Sequence, residues 1–167
     1  MTRMQRLVEN LFGGWFQLRR RFPAAVLDDI AQAIAAGEQH HLGEVCFALE
    51  SRLAPAAAFA GLNARRRAEQ AFAQLRVWDT EHNSGVLFYV LLAERRIEII
   101  ADRGIAAKVA ASEWDAICAR MRDSYAHGHW REGSLAGIEA AHALLLQHFP
   151  SDGVANPDEL PDRPVLL

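Results

Sequence analysis

Hydrophobic positions recur at the spacing of α-helices in five parts of the chain. Near the start, an apolar stripe predicts a helix of about four turns with arginines on both flanks. Pro23 fits the boundary with a second helix, for which Gly37 is the predicted terminator. Asn63 and Ser112 are suited to capping two further helices, and a last helix is predicted from Trp130 to Phe149. The stripe of the first helix consists of Met4, Leu7, Val8, Leu11, Phe12 and Trp15.

Three shorter apolar segments have the pattern of β-strands. Residues 44–50 place larger side chains on one face and the small Cys46 and Ala48 on the other, as expected for a strand covered on both sides. Residues 86–92 and 97–101 are separated by a short polar segment, which predicts an antiparallel hairpin. The order of the elements predicts an α/β fold, a three-layer α/β/α sandwich around a small mixed sheet.

The pattern divides the chain into three parts. Residues 1–22 are the predicted amphipathic helix, and residues 23–150 are a single α/β domain. Residues 151–167 are rich in proline and acidic side chains, so they are predicted to be a disordered, mobile tail.

Composition narrows the classes of function. The net charge of −3 at pH 7 argues against a general nucleic-acid-binding protein. Cys46 and Cys118 lie in apolar surroundings, which indicates buried thiols in a reducing compartment and not a disulfide. No segment approaches the roughly 18 consecutive apolar residues of a membrane-spanning helix. Three arginines at residues 19–21 stand where a signal peptide would need small residues. We therefore expect a cytoplasmic location.

The amphipathic helix is a candidate docking element. Its flanking arginines allow contact with an anionic membrane surface. Glu9 on its polar face, together with Gly13 and Gly14, favours packing on the rest of the domain or on a partner subunit instead. The predicted partner is therefore a second copy of the chain or another protein.

Candidate chemistry concentrates in an acidic loop, residues 77–85, which opens directly onto an apolar strand. Loops at the mouths of buried strands are where α/β domains place ligands. Asp79, Glu81 and Asn83 alternate, so an extended loop would point their oxygens the same way, and Asp102 can join them from the hairpin. Hard oxygen ligands suit calcium or magnesium. The alternative is a solvated loop in which Asp79 or Asn83 caps its own turn.

Other candidate sites are weaker. The pairs His40–His41 and His127–His129 lie at predicted helix ends, where imidazoles complement backbone carbonyls, and zinc at either pair would need further ligands. The chain has neither a glycine-rich phosphate loop of the Walker type nor a Cys-x5-Arg phosphatase motif.

Four segments together resemble the TPM domain family over roughly residues 24–150. They are residues 77–87, residues 92–105 with their Asp-Arg-Gly exit, Gly43 with Glu44, and residues 130–138. The family includes thylakoid-lumen proteins with reported acid phosphatase activity and many bacterial members of unknown role. The resemblance implies an α/β/α sandwich whose acidic pocket binds a divalent cation in some relatives. By position, the corresponding metal ligands are Asp79, Glu81, Asn83 and Asp102, with Glu44 or Glu50 from the neighbouring strand.

Two functions follow from these observations. The first is a cytoplasmic, non-enzymatic accessory domain that binds a partner protein, with Ca²⁺ or Mg²⁺ in the acidic loop as its only cofactor. The alternative is a divalent-metal-dependent phosphatase acting on phosphomonoesters. In that enzyme Asp79 would be base or nucleophile, Asp102 would complete the site and Arg103 would neutralise phosphate. The catalytic set is incomplete, which favours the first function and leaves enzymatic activity open.

Overall fold

Four strands form one open sheet at the centre of the protein. The computed structural model describes residues 15–151, 153 and 159–167. The strands are β1 (Glu44–Glu50), β2 (Gly85–Leu91), β3 (Arg96–Ala101) and β4 (Val165–Leu166). Their order is β3-β2-β1-β4, in which β1 runs parallel to β2 and β4, and β2 runs antiparallel to β3. The predicted mixed sheet and its hairpin are confirmed.

Seven helices are described around this sheet. They are α1 (Trp15–Arg21), α2 (Ala24–Glu38), α3 (Pro55–Phe59), α4 (Ala64–Gln74), α5 (Arg103–Ala106), α6 (Ala111–Ala126) and α7 (Trp130–His148). Within the described ranges, none of the helices combines the length and the apolar character needed to cross a lipid bilayer.

The two faces of the sheet are covered by different helices. On one face of β1, Val45, Phe47 and Leu49 pack in a hydrophobic cluster with residues of α2, α6 and α7. Cys46 and Ala48 face a second cluster, which includes Ala68 and Ala71 of α4. Every residue of β1 and β2 is buried because both faces are covered. The predicted three-layer α/β/α sandwich is confirmed.

The predicted helix ends are partly correct. The Asn63 side chain accepts a hydrogen bond from the Arg66 backbone N at 2.9 Å and caps α4 as predicted. Gly128, with φ +84°, follows the end of α6. The prediction for Ser112 is wrong, because α6 begins at Ala111 and places this serine inside its first turn.

The prediction that Gly37 terminates the second helix is also wrong. Gly37 lies inside the last turn of α2, which continues to Glu38. A Cβ atom at this position would overlap the ring of His142 on α7. The glycine is therefore required for the close approach of two helices, which a periodicity argument cannot detect.

The prediction of a disordered tail is wrong for residues 159–167. Leu160 is buried, and β4 pairs with Ala48 and Leu49 of β1. Without β4, the outer side of β1 would be a sheet edge with unpaired backbone groups. Composition misses this segment because two ladder pairs with the distant strand β1 and one buried leucine anchor it. The remainder of the predicted tail, residues 152 and 154–158, lies outside the described residues.

The end of the predicted amphipathic helix packs on the domain. Leu18 and Phe22 are buried, and the Phe22 ring lies edge-on to Tyr125 and Trp130 with centroids 6.0 and 5.9 Å apart. Most of the predicted apolar stripe falls in residues 1–14, which lie outside the described residues.

Candidate functional site

The acidic loop lies at the edge of the sheet where β1 and β2 begin. The loop runs directly into β2, and Asp102 follows β3, which is antiparallel to β2 and therefore ends at the same edge. The hairpin thus brings residues about 20 positions apart in sequence together. This is the amino edge of the parallel pair, whereas ligands of open α/β sheets usually bind at the carboxyl ends.

Two of the predicted site residues, Asn83 and Arg103, are in contact across the hairpin. The Arg103 Nε donates a hydrogen bond to the Asn83 Oδ1 at 3.0 Å. The Asn83 carbonyl accepts from the backbone N of Gly104 at 2.9 Å. Asn83 adopts φ +50°, a left-handed conformation that asparagine tolerates better than most residues. These contacts join the acidic loop to the start of α5.

Among Asp79, Glu81, Asn83 and Asp102, the last is the most buried, with 7% of its surface exposed. Its Oδ1 accepts from the Arg103 backbone N at 2.7 Å and caps α5. Its Oδ2 is shielded from solvent and accepts no hydrogen bond from the described residues. A buried carboxylate oxygen with no partner is costly, so this atom is the most notable polar feature of the site.

Asp79 and Glu81 do not converge with this group. The Asp79 carboxylate is half exposed and pairs with the Arg76 side chain. Glu81 is exposed, and its backbone N donates to both carboxylate oxygens of Glu159 at 3.2 and 3.1 Å. The loop forms turns, with the Asn83 N donating to the carbonyl of Thr80 at 3.2 Å. The predicted extended, alternating conformation is therefore wrong.

The two glutamates suggested as further ligands lie at opposite ends of β1. The Glu50 carboxylate accepts from the Tyr89 hydroxyl at 2.5 Å and from the Arg67 Nε at 2.9 Å, at the far end of the strand from the acidic loop. Glu44 is near the loop but fully buried, and its Oε2 accepts from the Leu160 backbone N at 3.3 Å. Over the described ranges, no group of three His, Cys, Asp or Glu side chains has the geometry to hold a metal ion.

A carboxyl cluster beneath the C-terminal segment was not predicted. Glu38 accepts a hydrogen bond from the Val45 backbone N at 2.7 Å and lies near Glu44 and Asp162. Burial, and then the negative charge of Glu44, raise the pKa of Glu38 to about 9. The sequence carried no signal for this cluster, because Asp162 reaches it only when the C-terminal segment packs.

A buried histidine pair was also not predicted. The His41 Nε2 and His142 Nδ1 lie 2.7 Å apart, and the Gly43 backbone N donates to the His41 Nδ1 at 3.1 Å. This arrangement makes the Nε2 of His41 the donor to His142. Burial, followed by the neighbouring His142, lowers the pKa of His41 to about 4. His41 is therefore neutral at pH 7, and its contact with His142 joins the segment before β1 to α7.

Comparison with known proteins identifies the family. A family model, described as the TPM domain, matches residues 21–144. The chain belongs to the TPM domain family. The resemblance seen in the sequence is thereby confirmed.

Two solved structures are similar to this TPM domain. The BA42 protein of the psychrophilic bacterium Bizionia argentinensis is 27% identical with a TM-score of 0.75, over 86% of this chain and 94% of that protein. The N-terminal domain of the cg2496 protein from Corynebacterium glutamicum is 14% identical with a TM-score of 0.52, over 79% of this chain and 76% of that domain. The second likeness concerns the fold alone. None of the curated proteins matches the chain.

The acidic loop of this TPM domain has a mixed electrostatic character. Asn83 and Asp102 supply oxygen atoms that suit a hard cation, but the Arg103 guanidinium is hydrogen-bonded to one of them. A cation would therefore have to displace this arginine from Asn83 or bind on the other side of Asp102. The oxygens of Asn83 and Asp102 therefore supply only part of the coordination shell of a cation. Arg103 supplies one positive charge that suits an anion.

Proposed function

We propose that this TPM domain is a non-enzymatic interaction module that binds a protein partner through α1 and the segment preceding it. The observation that carries the proposal is the Phe16 side chain, which is 88% exposed. On the same helix, Leu18 is buried in the domain core, so α1 is held firmly while it presents Phe16 to solvent. Burying an exposed phenylalanine on association contributes about 1.5–3 kcal/mol.

The sequence before α1 is consistent with this role. In the sequence, Phe12 precedes Phe16 by four residues, which is the spacing of neighbours on one face of a helix, and the predicted apolar stripe ends at Trp15. A partner could be another protein or a second copy of this chain. The described side chains of the acidic loop are largely engaged in local contacts, which favours interaction over catalysis.

Site-specific photo-crosslinking in cells tests the proposal. A photoreactive phenylalanine analogue is placed at position 16 and, as a matched control, at position 59. Phe59 is 68% exposed on α3, in the helical layer on the other face of the sheet. We expect discrete crosslinked species from position 16 and none at the same yield from position 59. Mass spectrometry of the product distinguishes a second copy from another protein. Identical crosslinking patterns at the two positions would refute the proposal.

A second candidate function is divalent-cation binding with phosphomonoester hydrolysis at the acidic loop. The observation in its favour is the unpartnered, buried Asp102 Oδ2 next to Arg103. Ca²⁺ or Mg²⁺ would be held by Asp102 and Asn83, and Asp79 and Glu81 would have to leave their present positions to join them. The cation would supply Lewis acidity, and Arg103 would neutralise phosphate charge.

Thermal melts with and without millimolar Ca²⁺ or Mg²⁺ test this second candidate. Asp102→Asn retains the oxygen that caps α5 while removing the negative charge, so the fold should persist. A cation that binds only the folded state raises the melting temperature of the wild type by mass action. We expect the shift, and any turnover of a generic phosphomonoester, to disappear in Asp102→Asn. An equal shift in both proteins, or none in the wild type, would exclude this site.

A further inference from the structure

A cavity of about 720 Å³ opens at the opposite end of the sheet from the acidic loop. It lies where β2 ends, and it is bordered by α1, by the β2–β3 turn, by α6 and by the start of α7. The volume is in the range of small-molecule sites in proteins. The carboxyl end of a parallel strand is also where open α/β sheets most often bind ligands.

Five arginines from three parts of the fold line this cavity, which we call the arginine pocket. They are Arg20 and Arg21 of α1, Arg95 and Arg96 at the β2–β3 turn, and Arg122 of α6. No carboxylate is among the described lining residues, and none of the five forms an ion pair with a described acidic side chain.

Arginines elsewhere in the domain behave differently. Arg67 pairs with Glu50 at 2.9 Å, and the Arg131 Nε lies 2.6 Å from a carboxylate oxygen of Asp29. Some arginines outside the pocket thus pair with described carboxylates, whereas none of the five pocket arginines does.

Arg21 has the most restricted guanidinium among the arginines of the pocket. Its guanidinium lies over the Trp130 ring, 4.5 Å from the centroid, so the side chain is fixed in direction. Its Nη1 is shielded from solvent and donates no hydrogen bond to the described residues. Burial, and then the positive charges of Arg95 and Arg20, lower the pKa of Arg21. A fixed, buried donor surrounded by like charges is complementary to an anion.

Three acidic side chains lie close to the arginine pocket without lining it. The Glu98 carboxylate lies 3.9 Å from the Arg65 guanidinium. Glu98 and Asp115 line an adjacent groove along β3, which Arg96 and Arg122 also border. Glu94, in the β2–β3 turn, acts electrostatically on the hydroxyl of Tyr89, a residue of the cluster on the other face of the sheet.

We propose that the arginine pocket binds an anion carrying two or more phosphate groups. A planar guanidinium donates paired hydrogen bonds that match the spacing of phosphate oxygens. Five arginines offer more donors than the two oxygens of a single carboxylate can accept. Leu92 and Ile97 provide an apolar part of the lining that suits an organic group attached to the phosphates. The site is distinct from the acidic loop, and the inference does not depend on the function proposed above.

Isothermal titration with inorganic pyrophosphate tests the proposal on the full chain. The pocket variant is Arg20→Gln combined with Arg95→Gln, two exposed side chains without described partners. The control is Arg66→Gln with Arg120→Gln, which removes the same charge from exposed positions outside the pocket. We expect one pyrophosphate per wild-type chain, affinity reduced about tenfold or more in the pocket variant, and little change in the control.

Two further measurements make the outcome decisive. Arg122→Gln provides a second pocket variant should the double variant unfold, as judged by circular dichroism. Flotation with phosphatidylcholine vesicles, with and without phosphatidylinositol 4,5-bisphosphate, distinguishes a lipid headgroup with several phosphates from a soluble phosphate. Binding of either probe that weakens in the pocket variants supports recognition of phosphate groups by the arginine pocket. The probe that binds shows whether the phosphate belongs to a lipid headgroup or to a soluble molecule. Equal weakening in pocket and control variants, or no binding of either probe by the wild type, would overturn the proposal.

Discussion

The free energy of unfolding of the wild type is expected to fall between pH 6 and pH 8 because Glu38 resists ionisation in the folded state. Replacing Glu38 by glutamine should remove most of this fall. The carboxyl group is held by the Val45 backbone N at 2.7 Å and faces Glu44 and Asp162. Its pKa is raised from 4.5 to about 9, first by burial and then by the charge of Glu44. A glutamine keeps the acceptor for Val45 and cannot ionise, so the cluster loses one titration without losing its main hydrogen bond.

The sign and size follow from proton linkage. Between the unfolded pKa of 4.5 and the folded pKa of about 9, the folded protein binds about one proton more than the unfolded chain. Stability contributed by this group is therefore complete below pH 4.5 and decreases as pH rises through this window. Each pH unit corresponds to ~1.4 kcal/mol, so two units give an upper limit of ~2.7 kcal/mol. Residual solvent contact of the carboxyl reduces this, and about 2 kcal/mol is the expected difference.

Urea unfolding at pH 6, 7 and 8 measures the effect. Glu139→Gln on the exposed face of α7 is the matched control, because it makes the same chemical change outside the cluster. The free energies of unfolding of wild type and Glu139→Gln should fall together as pH rises, and that of Glu38→Gln should fall less. Contributions from the buried histidines are common to all three proteins and cancel. Parallel pH profiles for all three would show that Glu38 does not remain protonated in the folded state.

Three substitutions test the packing. Leu160→Ala should lower the free energy of unfolding by about 2–3 kcal/mol, because this leucine is buried in the layer that contains α4. Gly37→Ala should destabilise by about 1–3 kcal/mol, since overlap with the fixed His142 ring outweighs the helical preference for alanine. Tyr89→Phe should cost about 1–2 kcal/mol, because it removes the hydroxyl that donates to Glu50. Urea unfolding measures each change.

Different outcomes would contradict these three expectations. An unchanged free energy for Leu160→Ala would mean that residues 159–167 detach readily in solution. Stabilisation by Gly37→Ala would mean that α2 and α7 can separate slightly at no cost. A neutral Tyr89→Phe would mean that the Glu50 carboxylate is satisfied by Arg67 alone.

The sequence predicted which segments meet at the acidic loop but not how their side chains are oriented. The hairpin pattern placed Asp102 near the acidic loop, and the structure has Arg103 bonded to Asn83 there. The alternation of Asp79, Glu81 and Asn83 was not sufficient to predict that their oxygens point the same way. Tight turns and the contact of Asp79 with Arg76 determine the side-chain directions instead. Local spacing gives side-chain direction only when the backbone is regular.

The arginine pocket and the histidine pair had no local signature at all. The arginines of the pocket are separated by as many as 102 positions, from Arg20 to Arg122, and His41 meets His142 across 101 positions. Neither arrangement repeats at a helical or strand period. Both depend on which helix packs against which strand end.

The sequence by itself determined strands β1 to β3, most of the described helices, the burial of both faces of β1 and the family. These follow from periodicity and side-chain volume, which act over a few residues and are visible in any short window. The tertiary structure alone decided that residues 159–167 add a strand and that Gly37 accommodates His142. It also decided that Glu38 lies beside Glu44 and Asp162, and that the Arg21 Nη1 is shielded from solvent. Those properties arise from contacts between distant segments, whose energies depend on solvent exclusion and on the neighbours that packing supplies.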